Sequence, residues 1–199
     1  LLSASATGFY GDRGEELVDE SSTAGTGFLA ELAHDWEAAA AAAASVRTRV
    51  VLLRLGMVVA GDGGALQKML LPFKLGLGGP IGSGRQFWPW IGIGDVVGAI
   101  RFALASPAIS GPVNAVAPHE TRCKDFTHTL GRVLGRPAFL PAPAAAVKLA
   151  LGEMADALLL ASTRVRPRAL LEAGYTFEHP TLEEALRSVL GRGDRRSDV

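Results

Sequence analysis

The residue types best suited to hold a ligand are gathered in one stretch, 75–96, which reads L-G-L-G-G-P-I-G-S-G-R-Q-F-W-P-W-I-G-I-G-D-V. Glycine at this density means backbone that turns tightly or lies close against something flat. Trp88 and Trp90, on either side of Pro89, add large, rigid apolar area with N–H donors. Arg85 and Arg54 are the cations nearest this chemistry, and an arginine can grip an anion as a two-pronged fork. Two readings fit the stretch: a long loop pinned to the core by its tryptophans, and the wall of a cleft that faces a flat or apolar ligand. At its end Asp95 opens a helix, where the positive end of the dipole favours a carboxylate. Arg54 interrupts the apolar run 49–60, so its charge must leave the sheet at the strand's end or find a partner.

The totals exclude several classes. A chain of 199 residues, 48% hydrophobic and 20% charged, has enough apolar material for one substantial core or two small ones. Its formal net charge of zero argues against a nucleic-acid partner. The basic stretch 187–196 reads as a frayed terminus. A single cysteine, Cys123, leaves no internal disulfide and no multi-cysteine metal site, which suits a reducing, cytoplasmic setting. No apolar run reaches membrane-spanning length, so no membrane partner is expected. The chain opens without methionine on Leu1-Leu2-Ser3-Ala4-Ser5, which reads as the C-terminal end of a buried strand. We expect residues to precede Leu1.

The elements that must position these groups follow from periodicity. Residues 1–5 end a strand, 6–14 form a loop, and the acidic segment 15–25 an exposed loop. A helix is expected over 27–44, with Phe28, Leu29, Leu32, Ala33 and Trp36 on its apolar face. Residues 49–60 form a strand buried on both sides, as in a parallel sheet covered by helices. Helices over 65–74 and 95–105 and a short strand at 112–116 follow. This alternation indicates an α/β layer. Beyond Ala117 the chain turns helical: 121–134, a proline-rich link 137–143, a helix over 144–161, and a last helix announced by the capping box Thr181-Leu182-Glu183-Glu184. Two domains are expected, 1–117 and a mainly helical lobe 118–199.

Taken together, S-A-T-G-F-Y-G-D after a strand, the helix bearing W-E, V-V-L-L-R-L-G-M-V-V, G-G-P-I-G-S-G-R-Q-F-W-P-W-I-G-I-G-D and V-N-A-V-A-P resemble the extended short-chain dehydrogenase/reductase superfamily. They are most similar to its branch of sugar-nucleotide epimerases and NADP-dependent oxidoreductases. The segment S-T-R-V-R-P-R-A-L-L-E-A-G-Y-T-F-E-H-P-T-L-E-E-A-L resembles that branch's small C-terminal domain. The resemblance implies the C-terminal part of a Rossmann-like doubly wound parallel sheet, with NADP as cofactor and NAD as the alternative. It also implies a small-molecule substrate and allows a homodimer. The superfamily's glycine-rich fingerprint lies on a first strand–helix turn, and no such motif follows a strand here. On this resemblance the chain is roughly the C-terminal two-thirds of a longer protein.

The same resemblance assigns roles. A serine or threonine hydroxyl and a Tyr-x-x-x-Lys pair usually serve the nicotinamide. The hydroxyl candidates are Ser3, Ser5 and Thr7, with Ser5 preferred. The tyrosine and lysine positions fall on Leu29 and Ala33, so the usual pair is missing. Tyr10 is the candidate substitute, whereas His34 and Glu37 read as solvated side chains. Val58 and Val59 would offer backbone to the nicotinamide carboxamide, and Arg54 would reach the cofactor. Gly79, Gly82, Arg85, Trp88 and Trp90 would line the substrate. The arginine that grips a nucleotide sugar's diphosphate is replaced by Trp88, and its companion histidine by Gly92. No metal is implied. The expected activity is that of an NADP(H)-binding oxidoreductase or epimerase-like protein, with a non-catalytic NADP-binding scaffold or redox sensor as the alternative.

Overall fold

The computed structural model describes residues 1–191. The basic end of the chain beyond Gly191 lies outside the described residues. Three parallel strands form the central sheet: β1 (Leu2–Ala6), β3 (Val51–Leu55) and β6 (Gly111–Ala115), in the order β1-β3-β6. Their register places Ser5, Arg54 and Asn114 side by side in one row. Strand side chains alternate between faces. The opposite face therefore carries Val51, Leu53, Val113 and Ala115, which pack with Val96, Ala99 and Ala103. Those three belong to α3 (Ile93–Ala105).

The polar row is covered by a 3-10 turn, Thr7–Tyr10, and by α1 (Phe28–Ala41). Of the expected apolar face only Ala33 is buried. Phe28, Leu32 and Trp36 are exposed, Phe28 at 76%, while Ala30, Ala33 and Glu37 turn inward. Small alanines let the helix lie close on the sheet, and the carboxylate of Glu37 must meet Arg54. That requirement outweighs apolar spacing in setting the helix's rotation.

The strand expected over 49–60 breaks at Gly56 into β3 and β4 (Met57–Val59). A Cβ at Gly56 would sit 2.8 Å from the carbonyl oxygen of Pro89. β4 pairs in parallel with β5 (Trp90–Gly92). The segment 15–25 contains a two-residue strand, β2 (Leu17–Val18), paired with β7 (Arg164–Val165). The remaining helices are α2 (Gly64–Lys74), α4 (Cys123–Leu134), α5 (Ala144–Leu151), α6 (Glu153–Ala155), α7 (Arg168–Glu172) and α8 (Leu182–Leu190). The helix expected over 144–161 is thus interrupted: Gly152 adopts φ +60°, and a π-turn covers Asp156–Leu160.

α2 turns Leu66 and Phe73 inward, as expected, against Trp88, Trp90, Phe126, Leu130 and Leu186. This cluster draws on residues from both sides of position 117, so α4 and α8 share a core with α2 and the tryptophan segment. Asp95 ties the far end of the chain to α3. Its carboxylate accepts from the backbone N–H groups of Glu178 (2.7 Å) and His179 (3.0 Å) and from the Tyr175 hydroxyl (3.1 Å). Among the described residues no helix is long and apolar enough to cross a membrane, and no cluster of His, Cys, Asp or Glu could hold a metal ion.

Candidate active site

The row across the sheet is the most heavily hydrogen-bonded buried feature near the strands' carboxyl ends. Arg54 donates from Nε to Glu37 Oε1 and from Nη2 to Glu37 Oε2, both at 2.8 Å. Both side chains are nearly inaccessible, at 4% and 8%. A buried charge pair of this kind persists only when its geometry satisfies both partners. Ser5 Oγ donates to Glu37 Oε1 at 2.7 Å. On the other side Arg54 Nη1 donates to the Tyr10 hydroxyl at 2.9 Å, and that hydroxyl donates to Asn114 Oδ1 at 2.7 Å. The guanidinium also lies 3.5 Å from the centroid of the Phe9 ring.

The network continues past Asn114. Its Nδ2 donates to the Arg166 carbonyl, and its backbone N–H donates to Glu20 Oε1 at 2.9 Å. The same Glu20 oxygen accepts from the N–H of Ala169, in the first turn of α7. Burial pushes the Glu20 carboxyl above the usual carboxylate range, and its Oε2 has no partner among the described residues. Burial likewise pushes the Tyr10 phenol up. Tyr10 is fully buried with its hydroxyl used as both donor and acceptor. Its place is therefore to hold Arg54 and Asn114 in position. Ser5 has committed its proton to Glu37 and keeps lone pairs with which to accept.

The structure brings Ser5, Tyr10 and Arg54 into this one network and leaves the other candidates elsewhere. All three Arg54 nitrogens already donate or are held within it, which leaves the guanidinium facing protein rather than a cofactor phosphate. Val59 has no exposed surface and packs in the α2–α8 core, and Val58 packs with the α3 side. Either could meet a ligand only through its peptide groups. Trp88 and Trp90 are buried. Trp88 Nε1 donates to the Leu159 carbonyl (3.1 Å) and Trp90 Nε1 to Thr121 Oγ1 (2.8 Å), as the pinned-loop reading requires. Their edges also line a narrow recess with Val116 and the loop 117–121. Gly79 and Gly82 are needed by the backbone: a Cβ at Gly79 would fall 2.0 Å from the Leu140 carbonyl oxygen, and Gly82 has φ +58°. Arg85 is exposed at the surface.

Sequence reasoning passed over two residues. Glu37, expected to be solvated, is buried at the centre of the network. Its signal was its place at i+7 and i+4 from Ala30 and Ala33, on the narrow face that packs. Arg164 lines the recess from β7. Its signal matched that of Arg54, a charge flanked by strand-forming residues.

A parallel sheet with helices on both faces, and polar groups gathered near its carboxyl ends, defines a Rossmann-like nucleotide-binding architecture. Comparison with known proteins narrows this. Over 186 residues the chain is 47% identical to the epimerase family protein Mb2239 of Mycobacterium bovis, covering 94% of this chain and 62% of that protein. The crystal structure of human epimerase family protein SDR39U1 (isoform 2) with NADPH superposes with a TM-score of 0.91 at 40% identity, covering 96% of this chain and 64% of that one. The structure described as the nucleoside-diphosphate sugar epimerase from Corynebacterium glutamicum matches with a TM-score of 0.78 at 36% identity, covering 96% and 37%. A family model described as a domain of unknown function, DUF1731, matches residues 142–189. Along most of its length the chain is similar to the epimerase family proteins of the SDR39U1 type, and it spans about three fifths of the length of the curated relatives it matches.

Proposed function

We propose that the chain forms the substrate side, and one flank of the cofactor side, of an NADP(H)-binding oxidoreductase or epimerase-like enzyme that acts on a small molecule. The observation that carries this reading is the likeness to the NADPH complex of human SDR39U1 along nearly the whole chain. NADP is the cofactor of choice, and NAD the alternative. On this reading 1–117 supplies the cofactor flank and the substrate wall 79–90, and the lobe expected over 118–199 the rest of the substrate side.

The residues present suit one end of a dinucleotide and not the other. Gly92 and Gly94 stand where β5 meets α3, but that turn is closed. A Cβ at Gly94 would lie 2.7 Å from Glu178 Oε2, and Asp95 places a second carboxylate there. That turn offers a pyrophosphate no seat. The end of β1 is different. There Ser5 holds a hydroxyl near the carboxyl end of a parallel strand, where such sheets take ligands.

A bound nicotinamide supplies hydride chemistry. The chain's own part is to place acceptors and exclude water. Glu37, clamped by Arg54, draws the Ser5 proton toward itself and turns the Ser5 lone pairs outward. Tyr10 and Asn114 hold Arg54 in place. Val58 and Val59 offer peptide groups, and Gly79, Gly82, Arg85, Trp88 and Trp90 shape the substrate side.

One observation favours a second reading. α1 contains neither tyrosine nor lysine, so an NADP-binding scaffold or redox sensor without turnover is the alternative. The deciding experiment is a fluorescence titration of NADPH and NADH against the intact protein, followed by a carbonyl substrate screen. We expect NADPH to saturate, with turnover reduced at least tenfold by Ser5→Ala. Binding without turnover on any carbonyl would favour the scaffold, and no binding of either nucleotide would sink both. The same reading includes a cytoplasmic setting and a homodimer.

A further inference from the structure

We propose that the face made by α2 and the link 137–142 docks onto the headgroups of an anionic lipid surface. This goes beyond the enzyme reading and does not depend on it. It also differs from the expectation of no membrane partner, which rested on spanning length alone. A protein that lies on a membrane needs no helix to cross it.

The face starts from α2. Leu66 and Phe73 turn into the core, so the opposite side of the helix points outward. That side carries Lys68, Leu71 and Leu75, spaced three and four residues apart. Leu71 and Leu75 are each 66% exposed. The chain then runs alongside the link. The N–H of Leu140 donates to the Gly78 carbonyl at 3.2 Å, and that of Ala142 to the Pro80 carbonyl at 2.9 Å. A Cβ at Gly76 would touch the Pro137 ring, at 3.7 Å. This pairing sets Phe139 and Leu140 beside Leu75 and Leu77. These are exposed as well, Phe139 at 69% and Leu77 at 61%. The large apolar side chains thus form one exposed patch, and a patch of this kind marks an interaction surface, whereas single exposed leucines do not.

Charge decides what the patch meets. The chain as a whole is neutral, yet residues 63–94 and 126–152 contain no aspartate or glutamate. Their cations are Lys68, Lys74, Arg85, Arg132, Arg136 and Lys148. Arg132 pairs with Glu183 and Lys148 with Asp156, both supplied by other segments. Lys68, Lys74 and Arg136 are exposed and make no ion pair among the described residues. Two lysines on α2 and an arginine before the link therefore flank the apolar patch. Side chains of this kind lay their methylenes along apolar surface and keep their charge at the polar boundary.

A lipid surface fits this face better than a protein partner. Residues 69–80 and 136–143 contain no serine, threonine, asparagine, glutamine, tyrosine or tryptophan with which to make directional hydrogen bonds. Protein interfaces carry such bonds regularly and are poor in lysine. A hydrocarbon layer beneath anionic headgroups asks only for apolar side chains and positive charge.

We would sediment the intact protein with vesicles of phosphatidylcholine alone, and of phosphatidylcholine mixed equally with phosphatidylglycerol, at low and at high sodium chloride. The protein should pellet with the mixed vesicles at low salt and be released from them at high salt. Lys68→Gln with Lys74→Gln should weaken that binding roughly tenfold or more. Both lysines are exposed, so this variant should keep the wild-type urea midpoint and guards against a folding defect. Leu75→Ser with Phe139→Ser should weaken binding by a similar factor. Failure to pellet with the mixed vesicles, or unchanged binding in either double variant, overturns the proposal. Protein that ignores vesicles but forms a dimer, dissolved by Leu75→Ser with Phe139→Ser, also overturns it and gives the face to a second copy.

Discussion

Glu37 and Arg54 are two full charges taken almost entirely out of water, and neither is solvated by anything but the other and their hydrogen-bond partners. Removing one leaves the other unpaired in a low-dielectric interior, which costs about 3–5 kcal/mol, whereas removing both together costs less. Arg54→Met and Glu37→Leu should therefore each lower unfolding free energy by about 3–5 kcal/mol, and the double variant should lose clearly less than their sum. Urea denaturation of the three variants tests this; strict additivity would show that the two residues do not act as a pair. Ser5→Ala removes only one donor from Glu37 and should cost about 1 kcal/mol. A large loss of turnover with so small a loss of stability would mark Ser5 as a reacting residue rather than a structural one. Cys123 behaves in the opposite sense. Burial pushes its thiol up to about 11, so in the folded protein it stays protonated at neutral pH and inert.

At the scale of elements, two helices show how differently local signals fare. α8 begins at Thr181, whose Oγ1 accepts from the N–H of Glu184 while the Glu184 carboxylate accepts from the N–H of Thr181. This reciprocal cap was legible because it needs only residues three apart. Its exposed geometry makes it a clean target: Thr181→Ala should lower stability by about 1 kcal/mol, read as a shift in urea midpoint with unchanged slope. A shift of less than a few tenths would mean that packing of Leu182 and Leu186 holds the helix start without the cap. α1 carries a better apolar stripe than cap, yet its rotation follows Glu37. Its exposed Phe28, Leu32 and Trp36 recur at every fourth residue, so they form a single strip along the helix. Strand β3 likewise stops not where apolar residues end but where Gly56 lets the Pro89 backbone approach.

For the whole molecule, the decisive joints are those that close the last segment over the sheet. Asp95 lies in the first turn of α3 and is only 1% exposed, yet its three acceptor contacts all go to residues 175–179. Asp95→Ala takes the acceptor from two part-buried N–H groups and a phenol, a loss of about 2 kcal/mol. We expect hydrogen exchange at the amides of Glu178 and His179 to accelerate far more than exchange in β3. Equal acceleration in both would show that the segment does not open on its own. α3 and the segment 175–179 that leads into α8 are therefore coupled by one carboxylate, and the shared core around Trp88, Phe126 and Leu186 holds α8 beside them.

Much of this protein was legible from local order. Strands and helices at 51–55, 64–74, 93–105, 111–115, 123–134 and 182–190 follow from apolar runs, helical periods and a cap, because each signal is carried by neighbours in the chain. The lack of a tyrosine–lysine pair was equally plain, since it depends on identity alone. The row Ser5–Arg54–Asn114 was not, because it exists only once three strands have taken a common register. Glu37 looked like a surface carboxylate until the helix bearing it was turned toward Arg54, 17 residues away in sequence. Arg164 looked like one charge among several until Phe87, Trp88 and the loop after β6 closed around it. Sequence alone determines which groups are charged, flexible or stiff. The pairing of those charges depends on water exclusion by distant segments, and so only the tertiary structure decides it.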